Sequence, residues 1–223
     1  MATDIAKTRD EIQSEVFEWL KTTRYASTSL EPLTGGSANF IHKATLTSPL
    51  DDGSIEVVVK HGEPYMAVAP ANMISIARCV SFLGENAGSS DWQLIQQNIE
   101  AQCFKALSDF TVTQEVDSHA TDQVVTFHAS VRTPKLLLYD DLTNTQVMEY
   151  LPKSTNLKAY INWHLNSAAP AELKSQCHAL GKAIGQYISA FHHNTDAKLR
   201  ETLKANSQMQ SLKHMINYDW MLD

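Results

Sequence analysis

The period of the apolar positions changes along this chain, and each change marks an element. Between residues 4 and 20, Ile5, Ile12, Val16, Phe17 and Leu20 fall roughly on one side of a helix. Strand signals then run over 28–34, 40–47 and 55–61. They are separated by Gly35-Gly36 and by Asp51-Asp52-Gly53, the second a strong hairpin signal. Residues 72–83 and 91–108 return to helical spacing, with a Gly/Ser/Asn-rich loop from Gly84 to Asp91 between them. The stretch 111–131 has no single period, although Val124-Val125-Thr126-Phe127 fits a strand inside an insertion. Lys135 to Tyr139 and Thr145 to Leu151 form another hairpin pattern around Asp140-Asp141. From about residue 156 the spacing is helical, most clearly over 171–193, where Leu180, Ala183, Ile184, Tyr187, Ile188 and Phe191 share a face.

Strands with one helix among them, followed by helices alone, is an α+β order. The pattern divides into an N-terminal helix (1–24), a small antiparallel-sheet lobe (25–150), and a hinge near 149–153 that opens a helical region (151–223). At 223 residues the chain can bury a substantial core as one large domain or two small ones. Its formal net charge of −7, with no basic run, argues against a nucleic-acid-binding surface, because phosphate backbones need concentrated Lys and Arg. No apolar stretch approaches the roughly 20 residues of a membrane span. Residues 1–18 mix charges with apolar positions and do not read as a signal peptide. Three widely spaced cysteines, Cys79, Cys103 and Cys177, and no Asn-x-Ser/Thr acceptor point to a reducing cytoplasm.

The candidate chemistry is that of holding a phosphate-bearing ligand. Gly35-Gly36, followed by Ser37 and Asn39, sits between two strands, where glycine lets backbone N–H groups approach an anion closely. The bland alternative is a turn. Lys60 ends the apolar run Val57-Val58-Val59, which would bury its stem and present its ammonium in a cleft. Glu100 lies on the predicted helix with Ile99, Cys103, Phe104 and Leu107 and would reach back to orient that ammonium, since a buried cation needs a partner. Otherwise Lys60 and Glu100 are ordinary solvated charges. Met148-Glu149-Tyr150-Leu151-Pro152 reads as a strand running into a hinge. It offers an apolar Met148 and backbone groups at Glu149 and Leu151 that fit an adenine edge, or else a hairpin strand that ends in proline. Cys177-His178 and His192-His193 match no structural zinc spacing, so no metal site is expected from them. No Gly-x-Ser-x-Gly elbow and no complete P-loop occurs.

Taken in order, these parts resemble the aminoglycoside phosphotransferase and choline kinase superfamily of small-molecule kinases. Leu33 to Phe40 is similar to that family's glycine loop. Val59-Lys60 with His61-Gly62-Glu63-Pro64-Tyr65 is similar to the lysine strand of methylthioribose kinase-like members. Ile99-Glu100-Ala101 to Leu107 resembles the glutamate helix, Pro134 to Pro152 the paired strands and hinge, and Leu180 to His192 the first long helix of the large lobe. The resemblance covers about residues 25–195 and implies a protein-kinase-like fold. It implies that Gly35, Gly36, Ser37 and Asn39 face phosphates and that Lys60 contacts them. It also implies that Glu100 orients Lys60, and that Met148, Glu149, Tyr150 and Leu151 cradle adenine. ATP is the implied nucleotide, magnesium the family's metal, and a hydroxyl on a small molecule the acceptor.

The sequence also departs from that family. His-x-Asp-x-x-x-x-Asn, the catalytic-loop pattern, occurs nowhere in the chain. His193-Asn194-Thr195-Asp196 has the wrong spacing, and Tyr218-Asp219-Trp220 lacks the His and the Asn. No catalytic residue and no metal ligand is therefore assigned, and the expectation is a chain truncated before its catalytic loop and inactive alone. Binding of nucleotide or a partner without catalysis, as in a pseudokinase, is the competing expectation, and a fragment without independent function a third. An unfinished helical lobe would favour self-association through the apolar face of 180–191. Val80 to Gln97 reads as extra material before the glutamate helix and fits a translated intron; transcript reads covering those codons in most mature messages would refute that.

Overall fold

The computed structural model describes residues 7–34, 39–63, 65, 67–68, 100–108, 110–118, 125–164 and 171–194, with 197, 200, 201 and 204. Gly35, Gly36 and Ser37, the helix expected at 72–83, the loop 84–91, the start of the 91–108 helix and the segment 80–97 lie outside them. The described residues form two compact units. One falls within Met1–Lys105, Lys135–Tyr150 and Arg200–Asp223, the other within Ala106–Pro134 and Leu151–Leu199. The architecture is mixed α and β, with an antiparallel-sheet unit and helices.

The first unit opens with helix α1, Arg9–Lys21. It begins at Arg9 rather than at residue 4 because Thr8 is an extended N-cap. The Thr8 side chain accepts from the Glu11 N–H (3.3 Å) while the Glu11 carboxylate accepts from the Thr8 N–H (2.7 Å), a reciprocal capping box. Ile12, Val16 and Leu20, at a four-residue spacing, are its buried positions.

Five antiparallel strands follow: β1 (Ser27–Pro32), β2 (Phe40–Leu46), β3 (Glu56–His61), and, later in the chain, β6 (Leu136–Asp140) and β7 (Thr145–Glu149). Their spatial order is β1-β2-β3-β7-β6. In β2 and β3 burial alternates strictly, so one face is packed and the other half-open. The packed face carries Phe40, Ala44, Leu46, Val57, Val59 and Val147, which join Ile12, Val16 and Leu20 in one apolar cluster. Two polar ties fix α1 and the chain after it to β6. Trp19 Nε1 donates to Asp140 Oδ2 at 2.8 Å and the Tyr25 hydroxyl donates to the Leu137 carbonyl at 3.0 Å. The β2–β3 turn needs Gly53, whose φ of +83° is left-handed.

The second unit pairs β4 (Thr111–Ser118) with β5 (Val125–Arg132) in an antiparallel hairpin. The strand expected near 124–127 is thus the start of a longer one, and residues 111–118, which have no clear sequence period, form its partner. Helix α2 (Leu157–His164) starts where Asn156 Oδ1 accepts the Ala159 N–H at 2.7 Å. Helix α3 (Ala171–Asn194) packs on the hairpin, with Ala179 and Ala183 buried and the Tyr187 ring 5.0 Å from that of Phe110.

Candidate functional site

Strand register decides which side chains share the half-open face of the sheet. Lys60 pairs with Ile41 on β2 and Gln146 on β7, and Gln146 pairs with Tyr139 on β6. Directly opposed residues project to the same face, so Ile41, Lys60, Gln146 and Tyr139 form one cross-sheet row. Met148, two residues on from Gln146 and paired with Val58, belongs to the same face.

The Lys60 ammonium meets the Glu100 carboxylate squarely, its Nζ lying 2.6 Å from Oε1 and 2.5 Å from Oε2. Glu100 belongs to the helical stretch 100–107. The pairing has a direct physical cause. The lysine side chain is only 13 % exposed and cannot discharge into water, so an opposite charge must compensate it. Deleting one partner of a fully buried pair costs about 3–5 kcal/mol. Glu100, at 37 % exposure, is partly screened, which discounts that figure considerably. One turn further on, burial and then the Glu100 charge push the Cys103 thiol pKa up, so the group stays protonated.

Next to this pair the row holds unspent polar capacity. Gln146 is fully buried, and neither its amide nitrogen nor its amide oxygen has a hydrogen-bond partner among the described residues. The buried Tyr139 hydroxyl has none among them either. Its pKa is raised, by burial first and then by Asp141 and Asp140. Each such orphaned group costs about 1–3 kcal/mol.

The other expected site residues lie as follows. Asn39 is half-buried at the entry to β2. Glu149 ends β7; its N–H donates to the Lys135 carbonyl (2.9 Å), and its carboxylate accepts from the Lys135 N–H (3.1 Å). Register puts Glu149 opposite Val57, on the packed face and away from Lys60. The half-buried Tyr150 ring has Lys43 Nζ 5.9 Å from its centroid, and Leu151 is exposed. The structure therefore gathers Lys60, Glu100 and Met148 on the half-open side of the sheet. Among the described residues no three His, Cys, Asp or Glu side chains gather in a way that would hold a metal ion. The groove lined by Asp10, Gln13, Ser14, Phe17 and Leu30 contains none of the expected site residues.

Sequence reasoning missed Gln146 and Tyr139. The signal was present in part, because Gln146 interrupts an apolar strand whose next two residues are Val147 and Met148. Burial and lack of partners are visible only once the strands are paired. Also missed was a polar cluster around His61, which lies on the packed face. There His61 contacts the Thr145 hydroxyl (2.8 Å) and the Glu63 carboxylate (3.2 Å), and Lys7 donates to Glu63 (3.1 Å). His42 on the same face is 3 % exposed with its Nδ1 unpartnered. Burial, with His61 and Arg9 close by, pushes its pKa down to about 4.

No protein-family profile matches the chain. The chain is similar to a protein of Cladobotryum sp. named phosphotransferase FrzJ, with 25 % identity over 185 residues, which is 82 % of this chain and 42 % of that protein. The chain thus spans about two-fifths of the length of the curated relative it matches. No helix among the described residues is long and apolar enough to cross a membrane.

Proposed function

We propose that this chain is the nucleotide-binding part of a small-molecule phosphotransferase with a kinase-like fold, using ATP as donor and a hydroxyl as acceptor. The observation that carries the reading is the Lys60–Glu100 pair on the half-open face of an antiparallel sheet. Phosphoryl transfer is mostly positioning and charge stabilisation, and a lysine held in place by a carboxylate supplies both. The similarity to a named phosphotransferase supports the same class.

In this reading Lys60 contacts phosphate oxygens and Glu100 fixes its direction. Gly35, Gly36, Ser37 and Asn39 face the phosphates, Met148 lines the base site, and the segment from Glu149 through Tyr150 to Leu151 meets the adenine edge. No magnesium ligand is assigned among the described residues, and no step is routed through that metal. Phosphoryl transfer moves the terminal phosphoryl group from ATP to the acceptor oxygen and releases ADP. It needs a group to take the acceptor's proton. The 223 residues contain no His-x-Asp-x-x-x-x-Asn, and this favours a second reading in which the chain binds nucleotide without transferring phosphate.

Thermal unfolding with ATP, with and without magnesium, tests the site. ATP at a hundred times its Kd should add about 2.7 kcal/mol to the folded state, a rise in Tm of roughly 5–10 °C for a chain of this size. Lys60→Ala should abolish the rise and Glu100→Gln should weaken it. A well-folded wild-type chain that shows no rise sinks the proposal. Phosphate transfer to any acceptor, measured alongside, separates the two readings.

A further inference from the structure

We infer that Gln146 is a positioning residue for the Lys60–Glu100 pair: its carboxamide takes the Glu100 carboxylate oxygen that Lys60 releases when the ammonium turns to a nucleotide phosphate. The inference rests on the nucleotide-binding reading above.

Both Glu100 oxygens are bonded by the one Lys60 ammonium. A phosphate oxygen brought to Lys60 competes for those N–H donors and adds negative charge that repels Glu100. The carboxylate is then short of a donor at the moment its direction matters, and an ionised oxygen left without a donor is the costly state of a half-buried pair. The adjacent position in the row is Gln146, whose Nε2 carries two N–H donors with no partner among the described residues. Directly opposed side chains on one face start about 4.5–5.5 Å apart at Cβ, within reach of both long side chains. Tyr139 stands next in the row with its hydroxyl also unpartnered. Its O–H can donate to Gln146 Oε1, leaving Nε2 turned toward Glu100. With ligand bound, Tyr139 donates to Gln146, Gln146 donates to Glu100, and Glu100 keeps the direction of Lys60.

The alternative is that Gln146 holds the sheet together. Among the described residues, though, its amide atoms have no hydrogen-bond partner, so an apolar side chain of similar shape should suit the fold better. This makes the two roles separable by sign. Gln146→Met should unfold at the same or a higher temperature than the wild type without ligand. It should also bind ATP about tenfold more weakly, the scale of one hydrogen bond to a charged group. A structural role predicts the reverse, a lower unliganded Tm with ATP affinity intact. Tyr139→Phe, which removes only the far end of the row, should keep the unliganded Tm and lose a smaller part of the ATP affinity.

The measurement is ATP titration of the full chain by calorimetry, with unliganded thermal unfolding of each variant. Wild-type ATP affinity in both variants overturns the inference and leaves the nucleotide-binding reading intact. An unliganded Gln146→Met that is less stable than the wild type, or that does not fold, overturns it too. If the wild-type chain binds no ATP, the reading and this inference fall together.

Discussion

A buried histidine gives the sheet unit a pH-dependent contribution to stability. His42 is 3 % exposed on the packed face of β2, and its folded-state pKa is lowered to about 4 from an ordinary 6.5. Between those values the unfolded chain binds a proton that the folded chain refuses, so stability falls as pH drops from 6.5 toward 4 and is unaffected above 6.5. The shift corresponds to a loss of about 3 kcal/mol across that window. His42→Leu removes the titration. Denaturant unfolding at neutral pH and near pH 4.5 should show the variant losing less stability on acidification than the wild type does. Equal losses would show that His42 is not the group responsible. The histidine's identity is plain in the sequence, but its burial is not, because His42 alternates with Ile41 and Lys43 in a way that fits either face of a strand.

At the scale of elements, the boundaries follow local chemistry. Thr8 and Glu11 define the start of α1 by mutual hydrogen bonds, and Asn156 defines the start of α2. Thr8→Ala should cost about 1 kcal/mol, lowering Tm by roughly 2–4 °C in a chain of this length. An unchanged melting curve would mean that α1 is held by its packing alone. Strands β2 and β3 were legible almost to the residue because their faces differ: one is buried, the other half-open, and alternation records that difference. The β4–β5 hairpin was harder to read. Exposed and half-buried positions alternate along the described part of β4, with no fully buried residue to mark a packed face. The Lys60–Glu100 contact was legible as a possibility from a lysine at the end of an apolar run and a glutamate on a helix, forty residues apart.

For the molecule as a whole, the second unit leaves large apolar side chains in water. Leu157, Ile161 and Trp163 on α2 are 46 %, 40 % and 68 % exposed, and Ile188 on α3 is 50 % exposed. Exposed apolar surface of this kind favours association. Sedimentation should show self-association that strengthens with concentration and weakens in a Trp163→Ser, Ile188→Ser double variant. A monodisperse monomer over the same range would count against it.

The sequence by itself determined the elements whose signal is local: amphipathic helices, a glycine turn, strands with one packed face, and a lysine and a glutamate placed where each could serve the other. These depend on dihedral preferences, hydrogen bonds over a few residues and the burial of one face, all of which leave periodic marks. Only the tertiary structure decided which residues share a face across strands that are distant in sequence. The insertion of β7 beside β3 sets Gln146 and Met148 on the Lys60 side and turns Glu149 to the packed side. Pairing register is a property of two segments at once, and a one-residue slip would have exchanged those faces. The lack of partners at Gln146 and Tyr139 belongs to the same level, because whether a buried group is satisfied depends on everything that surrounds it.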